Sequence, residues 1–200
     1  MVTVTVVMPT ITGREHWLER ALRSLDNHTE AEFEVLTYVD RPACGIVWQE
    51  GGEAAAGDYI WMGADDVEVL PGWDTAAISR CDEGALPAPC VYHPDGRLQS
   101  CGASWELLEP DGEETEFTRG PFMSRAQWDV IQPMLPTHYW TDNWVSWRGW
   151  QASPVIPTVV TWGFRFVHHL AGEGRNEGRM AEEGAVFEAA TRGEDVWHAS

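Results

Sequence analysis

The first residues of the chain alternate Val and Thr and then close into Val6-Val7-Met8, the pattern of a strand buried on one or both faces. Pro9 and Thr10 end it. From about Arg14 to Asn27 the apolar residues Trp17, Ala21, Leu22 and Leu25 recur at three- and four-residue spacings, which predicts an amphipathic helix capped by Thr12 or Gly13. Phe33 to Val39 reads as a second strand, ending in Asp40. Strand, helix and strand form a βαβ unit, which favours a parallel sheet. Ile46-Val47-Trp48 is a short strand-like piece before a Gly- and Glu-rich turn. Tyr59 to Met62 is a third strand that runs out into Ala64-Asp65-Asp66, and Pro71 then suits the first turn of a helix reaching Arg80. Leu86 to Tyr92 and Arg97 to Trp105 predict strands joined through the turn His93-Pro94-Asp95-Gly96. An acidic loop follows over 107–116, then helices over 126–132 and 143–151 and a strand over 163–167. From Gly172 onward Gly and Glu accumulate, which predicts a mobile segment and then a weak helix near Met180 to Thr191.

These elements describe one α/β domain with a mostly parallel central sheet flanked by helices. The domain divides into a first half over about 1–75 and a second over about 76–170, with 171–200 as an appended segment. The net charge of -19 argues against nucleic acid or an anionic membrane as partner, because both are held by clustered cations. All 13 basic residues are Arg, which excludes a lysine-bearing phosphate loop and Schiff-base chemistry. No apolar run approaches the roughly 20 residues of a membrane span, and Met1 to Met8 lacks the cationic start of a signal peptide, so a cytoplasmic protein is expected. Cys44, Cys81, Cys90 and Cys101 show no Cys-x-x-Cys pairing. Reduced, mostly buried thiols are the expectation, with a disulfide pair as the alternative.

Asp65 and Asp66 carry the clearest chemistry. They sit at the carboxyl end of a strand, where open α/β sheets bind ligands, and paired carboxylates suit magnesium or manganese bridging to a phosphate ester. A bare Asp-Asp pair also serves as a turn or helix cap. Asp142, just before a predicted helix, is equally suited to capping it. Trp140, Trp144, Trp147 and Trp150 fall on one helical stripe, usually a core feature. Trp rings also present flat faces to sugars, and the expectation is Trp144 buried and Trp140 at an acceptor mouth. Arg175 and Arg179 could close over a diphosphate, or pair with Glu173 or Glu177.

Several of these segments together resemble family 2 glycosyltransferases of the GT-A fold. The carriers are Val4-Thr5-Val6-Val7-Met8-Pro9-Thr10, Arg14 to Leu25, Glu34 to Asp40, Ala64-Asp65-Asp66-Val67-Glu68-Val69-Leu70-Pro71-Gly72-Trp73, Thr141-Asp142, and Phe166-Val167-His168-His169. They keep the family's order over residues 2 to 170. The resemblance implies a metal-dependent, inverting, hexosyltransferase-like enzyme that moves a sugar from a nucleotide-sugar donor to a sugar, lipid or protein acceptor. It implies that Asp66 and a following His, His168 by strand position, hold Mn2+ or Mg2+, and that Asp65 contacts ribose or metal. Asp40 would meet the nucleobase in a pocket framed by Pro9 and Thr10, and Asp142 would be the general base. Ala64 and Thr141 depart from the family pattern, and residues 43–57 are shorter than its corresponding segment. A sugar-binding module without catalysis and a nucleotidyltransferase are the alternatives.

Overall fold

The computed structural model describes residues 2–169, 176–194 and 196. Its first half is a βαβαβ run: β1 (Thr3–Thr10), α1 (Glu15–His28), β2 (Glu32–Val39), α2 (Cys44–Ala54) and β3 (Tyr59–Met62). Then come β4 (Val67–Val69), α3 (Trp73–Asp82), β5 (Leu86–Tyr92), β6 (Leu98–Cys101), β7 (Ser104–Trp105), β8 (Phe122–Ser124), α4 (Arg125–Ile131), α5 (Thr141–Gln151), β9 (Thr158–His168) and α6 (Glu177–Thr191).

The central sheet has the order β2-β1-β3-β8. β1 pairs in parallel with both β2 and β3, and β8 closes the edge antiparallel to β3. The second sheet, β4-β9-β5-β6-β7, is mixed. β9 spans both halves of it, antiparallel to β4 at one end and parallel to β5 along its length. The expected parallel centre flanked by helices is therefore present.

The alternation read along β1 deals its side chains to two separate cores. Val4, Val6 and Met8 join Tyr59 and Trp61 of β3 against α1 and α3, whereas Val7 joins Ile60 and Met62 against α2 and α4. A third cluster gathers Leu135, Trp144 and Ala190, with Trp140, Trp147 and Phe187 packed on it, and so docks α6 onto α5.

Four local expectations are corrected. Ile46-Val47-Trp48 lies inside helix α2 and is not a strand. Gly51 and Gly52 read as turn residues, but they let α2 approach its neighbours: a Cβ on Gly51 would stand 2.2 Å from Val7, and one on Gly52 would stand 2.3 Å from Trp128. Pro71 lies just outside α3, whose N-cap is Gly72 at φ 79°, a left-handed conformation that glycine adopts without steric cost. Cys90 and Cys101 form a disulfide, because the antiparallel pairing of β5 and β6 sets them directly opposite with Cα atoms 4.1 Å apart. Cys44 and Cys81 are free thiols. Of the segment expected to be mobile from Gly172, residues 172–175 lie outside the described residues, and the helix predicted near Met180 begins three residues earlier, at Glu177. Among the described residues no helix is long and apolar enough to cross a membrane.

Candidate functional site

The carboxyl ends of β1 and β3 open into a cleft of about 590 Å³. Pro9 and Thr10 end β1 there, and the turn Gly63-Ala64-Asp65-Asp66 leaves β3 on the same side. The backbone fixes this turn, because the amide of Gly63 donates to Val7 and the amide of His169 donates to the carbonyl of Asp66, both at 2.9 Å. Both carboxylates are buried, at 3% exposure for Asp65 and 8% for Asp66.

Each carboxylate is held in a different way. Asp65 accepts a hydrogen bond from the Thr10 hydroxyl at 2.7 Å and pairs with Arg14 at 2.8 Å. Burial raises its carboxyl above the usual carboxylate range, against the opposing pull of Thr10 and Arg14. Asp66 pairs with the same Arg14 guanidinium at 3.1 Å and faces the His168 Nε2 at 3.4 Å. Burial presses its carboxyl upward too, but the hydrogen bond and charge of His168, with the charge of Arg14, hold it below the usual range.

β9 decides which histidine faces the cleft. His168 stands opposite Val67 in the β4–β9 ladder and lines the cleft beside Asp66. His169 turns away, where its Nε2 meets Glu68, which Arg20 also binds, and its ring packs 5.1 Å from that of Trp17. Among the described residues no three His, Cys, Asp or Glu side chains stand together as a metal cluster. The donors that do converge, the Asp66 carboxylate and the His168 imidazole beside Asp65, suit a divalent cation whose remaining ligands come from phosphate and water. Arg14 is the cation already on those carboxylates.

Asp142 lines the cleft from the first turn of α5. It is not the cap of this helix: Trp140, at φ 69°, occupies the N-cap. The Asp142 carboxylate accepts from the amide of Asn143 at 2.9 Å. Burial pushes its carboxyl upward, and the nearby Arg119 charge offsets part of that, an environment suited to a carboxylate that must take up a proton. The departure at Thr141 is structural, because its buried hydroxyl bonds the carbonyl of Thr137 at 3.0 Å and anchors the start of α5.

Four other expected residues are placed elsewhere or not at all. Asp40, at φ 54°, spends both carboxylate oxygens on the amide and hydroxyl of Thr12, at 2.9 and 2.6 Å, on the rim beyond Thr10. Trp140 does not line the cleft: its indole donates to the carbonyl of Met180 and stacks on Phe187, because docking α6 draws it outward. Arg175 lies outside the described residues. Arg179 pairs with Glu183 at 2.7 Å and donates to the carbonyl of Pro42, and Glu173 lies outside the described residues.

The cleft also holds residues the sequence did not single out. Arg14 is one, legible only as an arginine between the first strand and its helix. Cys44 and His138 are another pair, with Sγ and Nδ1 3.3 Å apart. Burial pushes the Cys44 thiol up to about 12, so at neutral pH it is no thiolate nucleophile. Gln99, Trp105, Glu106 and Arg119 line the remaining wall, and no periodicity marked them.

No family model matches the sequence, and no curated protein matches it. Solved structures do. S. aureus TarS superposes with a TM-score of 0.63 at 14% identity, over 86% of this chain and 37% of that one. GalNAc-T7, crystallised with UDP, GalNAc and Mn2+, gives 0.66 at 13% identity over 84% and 44%. TarS 1-349 in complex with UDP gives 0.60 at 14% identity over 84% and 60%. The chain thus spans less than two thirds of the length of each. These neighbours are glycosyltransferases, and the likeness shows the fold: the chain is a GT-A-type α/β domain.

Proposed function

We propose that this domain transfers a glycosyl group from a nucleoside-diphosphate sugar to an acceptor hydroxyl. The observation that carries the reading is the placement of Asp65, Asp66 and His168 in one cleft with Asp142, at the carboxyl ends of β1 and β3. Support comes from the fold neighbours, two of which hold UDP and one of which also holds Mn2+.

In this reading Pro9 and Thr10 frame the nucleoside. Asp66 and His168, helped by Asp65, would hold a divalent cation, which when bound neutralises charge on the diphosphate. Arg14 adds a fixed positive charge at the same end of the cleft, useful in a chain that otherwise repels a diphosphate. Asp142 takes the proton of the acceptor hydroxyl as that oxygen bonds to the anomeric carbon. The bond from that carbon to the diphosphate oxygen breaks, and the diphosphate leaves with the electron pair. One displacement inverts the anomeric configuration.

The test is a thermal-shift titration of UDP with Mn2+ and with chelator. A ligand at 100 times its dissociation constant stabilises by about 2.7 kcal/mol, so wild type should melt higher with UDP and metal together. Asp66→Ala should lose that shift. Equal shifts in wild type and variant, with or without chelator, would remove the metal assignment, and no shift with any nucleoside diphosphate would remove the donor reading.

A further inference from the structure

We infer that the wall built by β6, β7 and Arg119 is a saccharide-binding subsite, so that the acceptor hydroxyl belongs to a sugar ring stacked on Trp105. The inference rests on the glycosyl-transfer reading for the role of that sugar, but its recognition surface is independent of it.

Three observations converge. Trp105 lines the cleft with 51% of its surface exposed, although a large apolar ring is costly to leave in water. The guanidinium of Arg119 lies 4.1 Å from its ring centroid and helps to fix its orientation. Second, Gln99 is 7% exposed and its side-chain oxygen has no hydrogen-bond partner among the described residues. A buried acceptor left unmatched is the exception in folded proteins and calls for a donor. Third, Glu106 holds a left-handed φ of 55°, pinned by its amide to the carbonyl of Gln99 at 2.9 Å. A non-glycine residue held there by the hairpin, at the edge of a cleft, is the kind of strain that collects at ligand sites.

A flat apolar face, a neutral acceptor and a carboxylate together match a ligand with an apolar ring face and a rim of hydroxyls. That describes a sugar. A phosphorylated acceptor would meet Glu106 in a chain of net charge -19. A lipid tail would leave Gln99 unsatisfied. An extended peptide would need a longer edge than the two residues of β7. Asp142, the candidate base, lines the same cleft as Trp105 and Arg119, so a sugar seated on Trp105 shares that cleft with the group that would deprotonate it.

The experiment is saturation-transfer NMR on the full chain, with the methyl glycosides of glucose, galactose, N-acetylglucosamine and N-acetylgalactosamine as probes. A serine tetrapeptide and glycerol 1-phosphate are the competitors of other class. At least one glycoside should bind wild type, and Trp105→Ala should weaken it about tenfold, the scale of one aromatic contact. Trp105→Phe should retain most of the affinity and Trp105→Leu should not, which separates a planar face from mere bulk should the alanine variant fold poorly. The UDP-dependent thermal shift should be the same in all of them. Absence of glycoside binding, equal binding by wild type and Trp105→Leu, or Trp105-dependent binding of the peptide or the phosphate in place of the glycosides would overturn the subsite. If UDP produces no shift while glycoside binding still requires Trp105, the subsite stands and the transfer reading falls.

Discussion

The guanidinium of Arg14 lies 3.1 Å from the carboxylate of Asp66, on a side chain that also reaches Asp65. Two adjacent buried carboxylates repel each other and lose their hydration, so a cation must compensate them. In this protein an arginine from the β1–α1 turn does so. A divalent cation would compete for the same oxygens.

Replacing Arg14 therefore has two opposite effects. Breaking a fully buried pair by deleting one partner costs about 3–5 kcal/mol. Arg14 retains contact with water, so Arg14→Ala should lose about 2 kcal/mol of stability without metal. Mn2+ should restore more stability to Arg14→Ala than it adds to wild type. Thermal melts of both proteins across a Mn2+ series check this, and identical metal responses would show that Arg14 and the cation do not share a site.

The two adjacent histidines should separate cleanly. His168→Ala should reduce the Mn2+-dependent part of the UDP shift and lower the metal-free melting temperature only slightly, because Arg14 still compensates Asp66. His169→Ala should do the reverse, because it deletes a buried ring packed on Trp17 and one hydrogen bond to Glu68, which Arg20 still binds; a single such hydrogen bond is worth about 0.5–1.5 kcal/mol. Thermal shifts on both variants decide it; a metal response lost in His169→Ala and kept in His168→Ala would exchange their roles.

Asp142→Asn should remove catalysis while leaving the protein at least as stable. Burial raises the Asp142 carboxyl, so its charged form is disfavoured in the folded state. The native protein then binds a proton more readily than the unfolded chain, and this group's contribution to stability declines as pH rises from its ordinary value through its raised one. Asn is free of that cost at neutral pH. The melting temperature should hold or rise, while the transfer rate falls by about two to four orders of magnitude. The acid limb of kcat/KM in wild type should lie above the usual carboxylate range. A transfer rate within a few-fold of wild type would leave Asp142 with a structural role only.

Two glycine-to-alanine changes in helices should have opposite signs. In an open helix position Ala is favoured over Gly by about 1 kcal/mol, and Gly184, where a Cβ would meet Trp140 at an ordinary 3.5 Å, should gain on that scale. At Gly51 the Cβ would stand 2.2 Å from Val7, so overpacking of about 1–3 kcal/mol outweighs propensity. Denaturant melts of Gly51→Ala and Gly184→Ala test the α2 and α6 packing directly; stabilisation by Gly51→Ala would contradict the close approach.

Local signals were legible wherever the chemistry is local. The alternation of residues 3–8, the helical spacing of Trp17, Ala21 and Leu25, and the turn at 93–96 depend on neighbours in the chain, and each marks an element that forms. The strand-end position of Asp65 and Asp66 follows in the same way. Other features required the third dimension. The glycines of α2 read as a turn because their reason for being small is Val7 and Trp128, distant in sequence. Cys90 and Cys101 became partners through the register of two strands. Trp140 and Trp105 are both aromatic residues beside polar ones, and nothing in their spacing says which faces the cleft. Docking of α6 turns Trp140 outward and the β5–β6–β7 hairpin turns Trp105 in. A side chain's period assigns it to a face of its own element, but only the packing of that element against others decides whether the face meets core, water or ligand.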